Sequence, residues 1–179
     1  MKIRTILVVT LLFTVAVFAQ NKRSSYTQFS LSIPLRGNPD RIDDSSEYWF
    51  LPDGASVKFG GGFHYNKRIG MGINTGLDWL ASEKMVVVPV FANLRLSTKL
   101  GPEVLLYLQT GYGKSIVLGR GNLMGVYKKI SLGIEDYDGI SLFAEIAQYG
   151  FSFKNTNEVW SISIGISWTT FKNRDVVPK

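Results

Sequence analysis

The sequence predicts an all-β fold, an eight-stranded antiparallel up-and-down transmembrane β-barrel. Apolar and polar residues alternate with period two in eight successive segments after Ser25, and this period is typical of strands. The polar faces of these segments consist mainly of Ser, Gly, Asn, Thr and Gln with few Lys or Glu, and charged residues make up only 19% of the chain. Two of the connections are long and most of the others are tight, which is typical of a membrane-spanning β-meander.

The N-terminus is typical of a secretory signal peptide. Lys2 and Arg4 precede an apolar stretch from Ile6 to Phe18, and small residues lead up to a cleavage site after Ala19. At 13 residues, this stretch is shorter than the roughly 20 that a membrane-spanning helix needs. The domain boundaries that we expect are a signal peptide at 1–19, a lead at 20–24, a barrel at 25–171 and a tail at 172–179.

The clearest strand pattern runs from Trp160 to Thr169, where tryptophan and isoleucine alternate with Ser, Gly and Thr. The other segments alternate in the same way and begin, in chain order, near Phe29, Val57, Met71, Val90, Leu106, Val126 and Ile140. In the seventh segment the aromatic residues of Tyr149–Phe153 fall on the polar face, so we expect a β-bulge there.

The connections indicate how the strands are ordered around the barrel. Arg36–Gly54 and Ile116–Met124 are long links, and short turns occur at 66–68, 98–102 and 136–138. Short turns on one side and longer loops on the other are expected of a barrel whose N-terminus is periplasmic.

Period-two alternation fits two barrels of opposite polarity. A soluble lipocalin-like barrel has its apolar face inside, whereas a membrane barrel has it outside. The weakly charged, glycine-rich polar face favours the membrane barrel, because large side chains do not fit a narrow lumen. Aromatic residues close to the ends of the apolar stripes predict an interfacial girdle formed by Trp79, Tyr112, Trp160 and Trp168.

The segment Pro89–Leu96, followed by a Gly-Pro turn and Leu106–Gly113, resembles the outer-membrane β-barrel domain family of porin-like bacterial surface proteins. The resemblance extends over Tyr26–Phe171 and implies an eight-stranded barrel in the bacterial outer membrane. Such barrels usually end on an aromatic residue that the assembly machinery recognises. Here eight residues follow Phe171, which departs from that pattern.

Ionisable residues on the polar face are candidates for a structural network in the lumen. They are Lys58, His64, Asp78, Arg95, Lys129, Glu135 and Glu145. Opposite charges enclosed in a narrow barrel are expected to pair, since isolated buried ions are costly. We expect no catalytic residue, metal or cofactor: the chain has one histidine and no cysteine, and Gly113-Lys114-Ser115 lacks the earlier glycine of a phosphate-binding loop.

The expected function is a structural or surface-interaction role in the outer membrane, without an open pore and without enzymatic activity. The expected partners are outer-membrane lipids, lipopolysaccharide and, during biogenesis, the barrel-assembly machinery. Tyr48, Trp49 and Phe50 form a possible partner-contact loop, or they continue the second strand. A net charge of +4 without the signal peptide argues against nucleic acid. Two alternatives remain open, a lipocalin-like carrier of a hydrophobic ligand and a membrane-embedded lipid-modifying enzyme that uses His64.

Overall fold

The computed structural model describes residues 24–37, 49–118, 123–151 and 158–172. These residues form nine strands: β1 Ser25–Gly37, β2 Phe50–Pro52, β3 Gly54–Tyr65, β4 Ile69–Leu80, β5 Met85–Lys99, β6 Val104–Leu118, β7 Met124–Asp136, β8 Ile140–Gly150 and β9 Val159–Lys172. In this part of the chain no helix is long and apolar enough to cross a membrane. The expected signal peptide, Tyr48 and the tail from residue 173 lie outside the described residues.

The strands form one closed antiparallel barrel. Each strand pairs with its neighbour in sequence, and β9 returns to β1 through pairs that run from Ser25↔Lys172 to Leu35↔Ile162. The segments β2 and β3 form a single barrel strand, since both pair with β1 on the same side. The predicted eight-stranded antiparallel barrel is therefore confirmed.

A β-bulge separates β2 from β3, and it does not lie where the sequence predicts one. The register on β1 shifts by one residue between Leu35↔Pro52 and Ser32↔Ser56. Gly54 has a φ of 134°, which favours glycine, and the Asp53 amide donates to the Pro34 carbonyl at 2.7 Å.

The bulge expected in the seventh segment is absent from its described part. The β7–β8 pairing keeps one register along β8 from Ser141 to Gly150. The prediction was wrong because Tyr149 and Phe151 point inward by regular alternation and are buried. They fill the barrel interior, and no irregular backbone is needed to place them there.

The tilt of the strands follows from the register around the barrel. The pairs lead from Ser25 through Phe63, Met71, Leu94, Thr110, Ile130, Ile146 and Ile162 to Leu35, ten residues further along β1. For eight strands this offset gives a tilt of about 40° and a backbone radius of about 8 Å. A lumen this narrow has room for side chains and little else.

The barrel has an apolar exterior and a polar interior. Outward-facing Ile73 and Leu142 are 69% and 68% exposed, whereas inward-facing Asp78 and Glu135 are each 1% exposed. A soluble barrel that carries a hydrophobic ligand has the opposite polarity. The exterior therefore matches a lipid environment.

The two ends of the barrel differ. The turn end carries the connections at 66–68, 100–103 and 137–139 together with Ser25 and Lys172, and the loop end is opposite. Both long links are shorter than the sequence indicates, because pairing continues to Gly37 and Leu118 and resumes at Phe50 and Met124.

Candidate functional site: the closed barrel interior

Four of the seven predicted lumen residues form a charge cluster in the half of the barrel nearer the loop end: Lys58, Asp78, Lys129 and Glu145. The Glu145 carboxylate accepts from Lys58 Nζ at 2.5 Å through Oε1 and from Lys129 Nζ at 2.6 Å through Oε2. Lys58 Nζ also lies 3.4 Å from Asp78 Oδ1. These side chains come from β3, β4, β7 and β8, so the charge cluster links opposite walls of the barrel.

Asp78 has two further partners that the sequence prediction missed. The Tyr149 hydroxyl donates to Asp78 Oδ2 at 2.6 Å, and the Ser56 hydroxyl donates to Oδ1. Both partners lie at inward-facing positions of their strands. The alternation along each strand was therefore the sequence signal that could have identified them. Both oxygens of the Asp78 carboxylate therefore accept hydrogen bonds in the lumen.

A second ion pair lies nearer the turn end. Arg95 Nη2 is 2.7 Å from Glu135 Oε2, and both side chains are almost completely buried. The Arg95 guanidinium stacks 3.9 Å from the centroid of the Tyr107 ring and donates to Thr169 Oγ1 at 3.2 Å. Together with the charge cluster, this pair gives the interior three cations and three carboxylates, so its formal charge is zero.

Uncharged polar side chains lie between the two ionic groups. Gln109 Nε2 donates to Gln28 Oε1 at 3.1 Å, and the Tyr26 hydroxyl donates to Asn93 Oδ1 at 3.1 Å. Both contacts cross the lumen between strands that are not neighbours. The polar interior therefore contains direct side-chain contacts across the barrel in addition to the ion pairs.

An apolar cap lies in the lumen on the loop-end side of the charge cluster. It consists of Leu80, Met85, Val87, Phe91, Val117, Tyr127, Ala147, Tyr149 and Phe151. The Tyr127 ring lies 5.0 Å from Phe91 and 5.3 Å from Tyr149 between ring centroids. Apolar surroundings of this kind strengthen neighbouring ion pairs, because the local dielectric constant is low.

His64, the seventh predicted lumen residue, belongs to neither ionic group. It is buried near the turn end, where its Nδ1 accepts from the Lys67 amide at 3.3 Å and its ring meets Phe171 edge-on at 4.9 Å. Nε2 has no hydrogen-bond partner among the described residues. The imidazole points into the barrel and not toward the lipid-facing surface.

The remaining predicted positions lie on the exterior. Trp79, Tyr112, Trp160 and Trp168 point outward and are 51%, 64%, 61% and 40% exposed. Trp79 and Trp160 are next to the loop end, whereas Trp168 is close to the turn end. Of the possible partner-contact loop, Phe50 belongs to β2, and Trp49 beside it is 66% exposed.

A cleft of about 440 Å³ opens at the turn end of the barrel. Lys67, Lys99 and Asp136 line it, and Glu135 is part of its wall. Its charges are of both signs, and the Glu135 carboxylate is already paired with Arg95. The cleft is therefore not selective for a ligand of either charge. The described residues contain no group of three or more residues suited to hold a metal ion.

The arrangement defines the chain as a closed β-barrel of the kind found in small outer-membrane proteins. Its fold is similar to that of the outer-membrane enzyme PagL, with a TM-score of 0.56, 13% identity, and 79% of this chain and 98% of that chain covered. Neisserial surface protein A matches with a TM-score of 0.55, 14% identity, and coverage of 81% and 95%. The N-terminal β-barrel domain of Pseudomonas aeruginosa OprF matches with a TM-score of 0.50, 10% identity, and coverage of 82% and 97%.

These similarities concern the fold. No protein-family model matches the sequence, and no curated protein is similar enough to indicate a family. Function must therefore be argued from the side chains of this chain itself.

Proposed function

We propose that the protein is an integral outer-membrane β-barrel with a structural or surface-interaction role, and that it is not an open pore. The observation that carries the proposal is the combination of an apolar exterior with a lumen filled by neutral ion-pair networks and an apolar cap. An eight-stranded barrel has an interior just wide enough for such side chains.

Heat-modifiability tests whether the chain is a membrane barrel. The outer-membrane fraction is solubilised in mild detergent and run on a gel with and without boiling. We expect the unboiled sample to migrate differently and the protein to resist carbonate extraction. Recovery in the soluble periplasmic fraction would contradict the proposal.

Conductance in a planar bilayer tests whether the barrel is closed. Because the lumen residues pair with one another along the axis, the purified protein is expected to give no stable channel. A channel that persists in repeated reconstitutions would overturn the closed-barrel part of the proposal and leave the membrane location standing.

We further propose that the loop end faces the cell exterior, where Trp49 and Phe50 are available to a partner. An epitope inserted at 40–47 would then be labelled on intact cells, whereas one inserted at 66–68 would be labelled only after permeabilisation. The reverse pattern would invert the topology.

The proposal assigns no catalytic role. A lipid-modifying enzyme remains the second candidate, because the outer-membrane enzyme PagL has the same fold. His64 is the one histidine of the chain, and it points into the barrel. Mass spectrometry of lipid A from a deletion strain distinguishes the two, since an altered acylation or phosphorylation pattern would favour the enzyme.

A further inference from the structure

Two lysines break the apolar pattern of the lipid-facing surface. Lys114 on β6 and Lys128 on β7 point outward and are exposed. Apart from Asp136 and Lys172, which end their strands, they are the charged side chains at outward-facing positions of the described strands. In the lipid-facing wall of a barrel, a lysine is costly at the membrane midplane and nearly free of cost at the interface.

The two lysines are neighbours. Lys114 lies directly opposite Val126, and Lys128 lies directly opposite Tyr112, so the lysines are diagonal neighbours on adjacent strands. Side chains in this relation have Cβ atoms about 7–8 Å apart or less. Neither lysine has an ion-pair partner in the described part of the chain, so the two like charges are left to repel each other.

The surroundings place the pair on the loop-end half of the apolar exterior, where Ile116 on β6 and Val126 on β7 continue the apolar surface beyond it. One row of paired residues joins Tyr112, Lys128, Gln148 and Trp160. Because the strands are tilted, such a row rises by about 3 Å per strand. The lysines therefore lie nearer the loop end than Tyr112 and within about 6 Å of the level of Trp160. The exposed Trp160 ring is typical of the lipid–water boundary, and a lysine stem is long enough to bring its ammonium group to that level.

The Glu158 carboxylate forms no ion pair with either lysine. Glu158 stands at the start of β9, where its Oε2 accepts from Gln148 Nε2 at 2.5 Å. Gln148 thus holds the acidic group on the side of Lys128 that is remote from Lys114. Two unpaired ammonium groups that reach the lipid headgroups favour a bound anion, and phosphate is an anion that lysine commonly binds as a point charge.

We propose that Lys114 and Lys128 form a binding site for the phosphate group of lipopolysaccharide, at the level of its lipid A headgroup. The site rests on the proposed function, because it requires the loop end to lie in the outer leaflet. Tyr112 packs on the acyl-chain side of the site, and the lysine stems reach toward the headgroups while their methylenes stay in the apolar layer. The site fixes the depth of the barrel and recruits a specific lipid to β6 and β7.

Native mass spectrometry of the full-length protein in a maltoside detergent tests the site, with bisphosphorylated lipid A as the probe. The variant K114Q/K128Q removes both charges and is expected to retain roughly 10- to 30-fold less lipid A than the wild type, given the usual effect of each lysine at an anionic membrane surface. K114R/K128R is expected to retain it. The control K99Q/K172Q removes two exposed lysines at the turn end and is expected to bind like the wild type.

Enzymatically dephosphorylated lipid A is the second probe. We expect the wild type to retain it as weakly as K114Q/K128Q retains the phosphorylated form. The site would be overturned if the wild type and K114Q/K128Q retained phosphorylated lipid A equally. It would also be overturned if the wild type retained the phosphorylated and dephosphorylated probes equally. Heat-modifiability is measured first on every sample. If the wild-type protein is not heat-modifiable, the proposed function is refuted. If the wild type and all variants are heat-modifiable but retain lipid A equally, only this inference is refuted.

Discussion

Lys58 and Glu145 are 87 residues apart in the sequence, yet Lys58 Nζ lies 2.5 Å from Glu145 Oε1 in the lumen. The same carboxylate binds Lys129 through its other oxygen. One acidic group thus pairs with two buried cations and links β3, β7 and β8 across the barrel. We expect the stability of the barrel to depend on this contact more than on any exposed charge.

The variant E145Q tests that dependence. It keeps the shape of the side chain but leaves two lysines facing one carboxylate, Asp78. Breaking a buried ion pair from one side typically costs roughly 3–5 kcal/mol, and we expect a loss of that size in the free energy of unfolding, measured by urea titration in lipid vesicles. E103Q, at an exposed turn position, is the control and should change it by less than about 0.5 kcal/mol.

A double variant separates charge balance from packing. K129M/E145Q removes one charge of each sign, so that Lys58 remains with Asp78 at 3.4 Å. Replacement of a buried pair by apolar or neutral groups is often close to neutral, and we expect this variant to recover at least half of the stability lost in E145Q. A double variant less stable than E145Q would show that shape, and not charge, dominates the cluster.

The contact between Tyr149 and Asp78 joins the apolar cap to the charge cluster. Y149F removes the 2.6 Å hydrogen bond to a carboxylate and keeps the ring, and we expect it to lower the free energy of unfolding by roughly 1–3 kcal/mol. Y149A also removes a fully buried ring and should lower it by roughly 3–5 kcal/mol or more. Y112F, on the exposed exterior, serves as the control. Equal effects of Y149F and Y112F would mean that water replaces the lost hydroxyl.

The strand pattern was readable from the sequence because side-chain direction alternates strictly along a strand. Trp160, Ile162 and Ile164 point outward as their spacing indicates, and the sparse charges of the polar face identified that face as the interior. The inward position of Lys58 and Glu145 followed from the same parity.

Contacts between side chains across the barrel could not be predicted from the sequence. The meeting of Lys58 with Glu145 depends on the ten-residue offset accumulated around eight strands, and no local pattern encodes that offset. Tyr149 and Phe151 were interpreted as a bulge because inward-facing aromatic residues break the apolar–polar alternation. Beyond the ionic part of the lumen, however, the interior is filled by an apolar core.

Gly111 leaves room for two large inward-pointing side chains from the strands on either side of it. A Cβ at this position would lie 2.8 Å from Lys129 Cγ and 2.8 Å from Phe91 Cδ2. Since Phe91 is packed against Tyr127 and Lys129 is tied to Glu145, neither can easily move. We expect G111A to lower the free energy of unfolding by roughly 1–3 kcal/mol. The matched control is G101A, which meets no atom within 4 Å, and similar losses in both variants would argue against close packing at Gly111.

The four tryptophans report which residues contact lipid. Trp79, Trp160 and Trp168 lie on the apolar exterior of the barrel strands, whereas Trp49 precedes β2 at the loop end. In single-tryptophan variants reconstituted into vesicles, with the other tryptophans changed to phenylalanine, we expect brominated acyl chains to quench the first three and aqueous acrylamide to quench Trp49. The eight residue steps from Trp160 to Trp168 correspond to roughly 20 Å of depth, so these two should respond to lipids brominated in opposite leaflets. Strong acrylamide quenching of Trp168, equal to that of Trp49, would mean that the apolar surface of β9 faces water and that the barrel does not span a membrane.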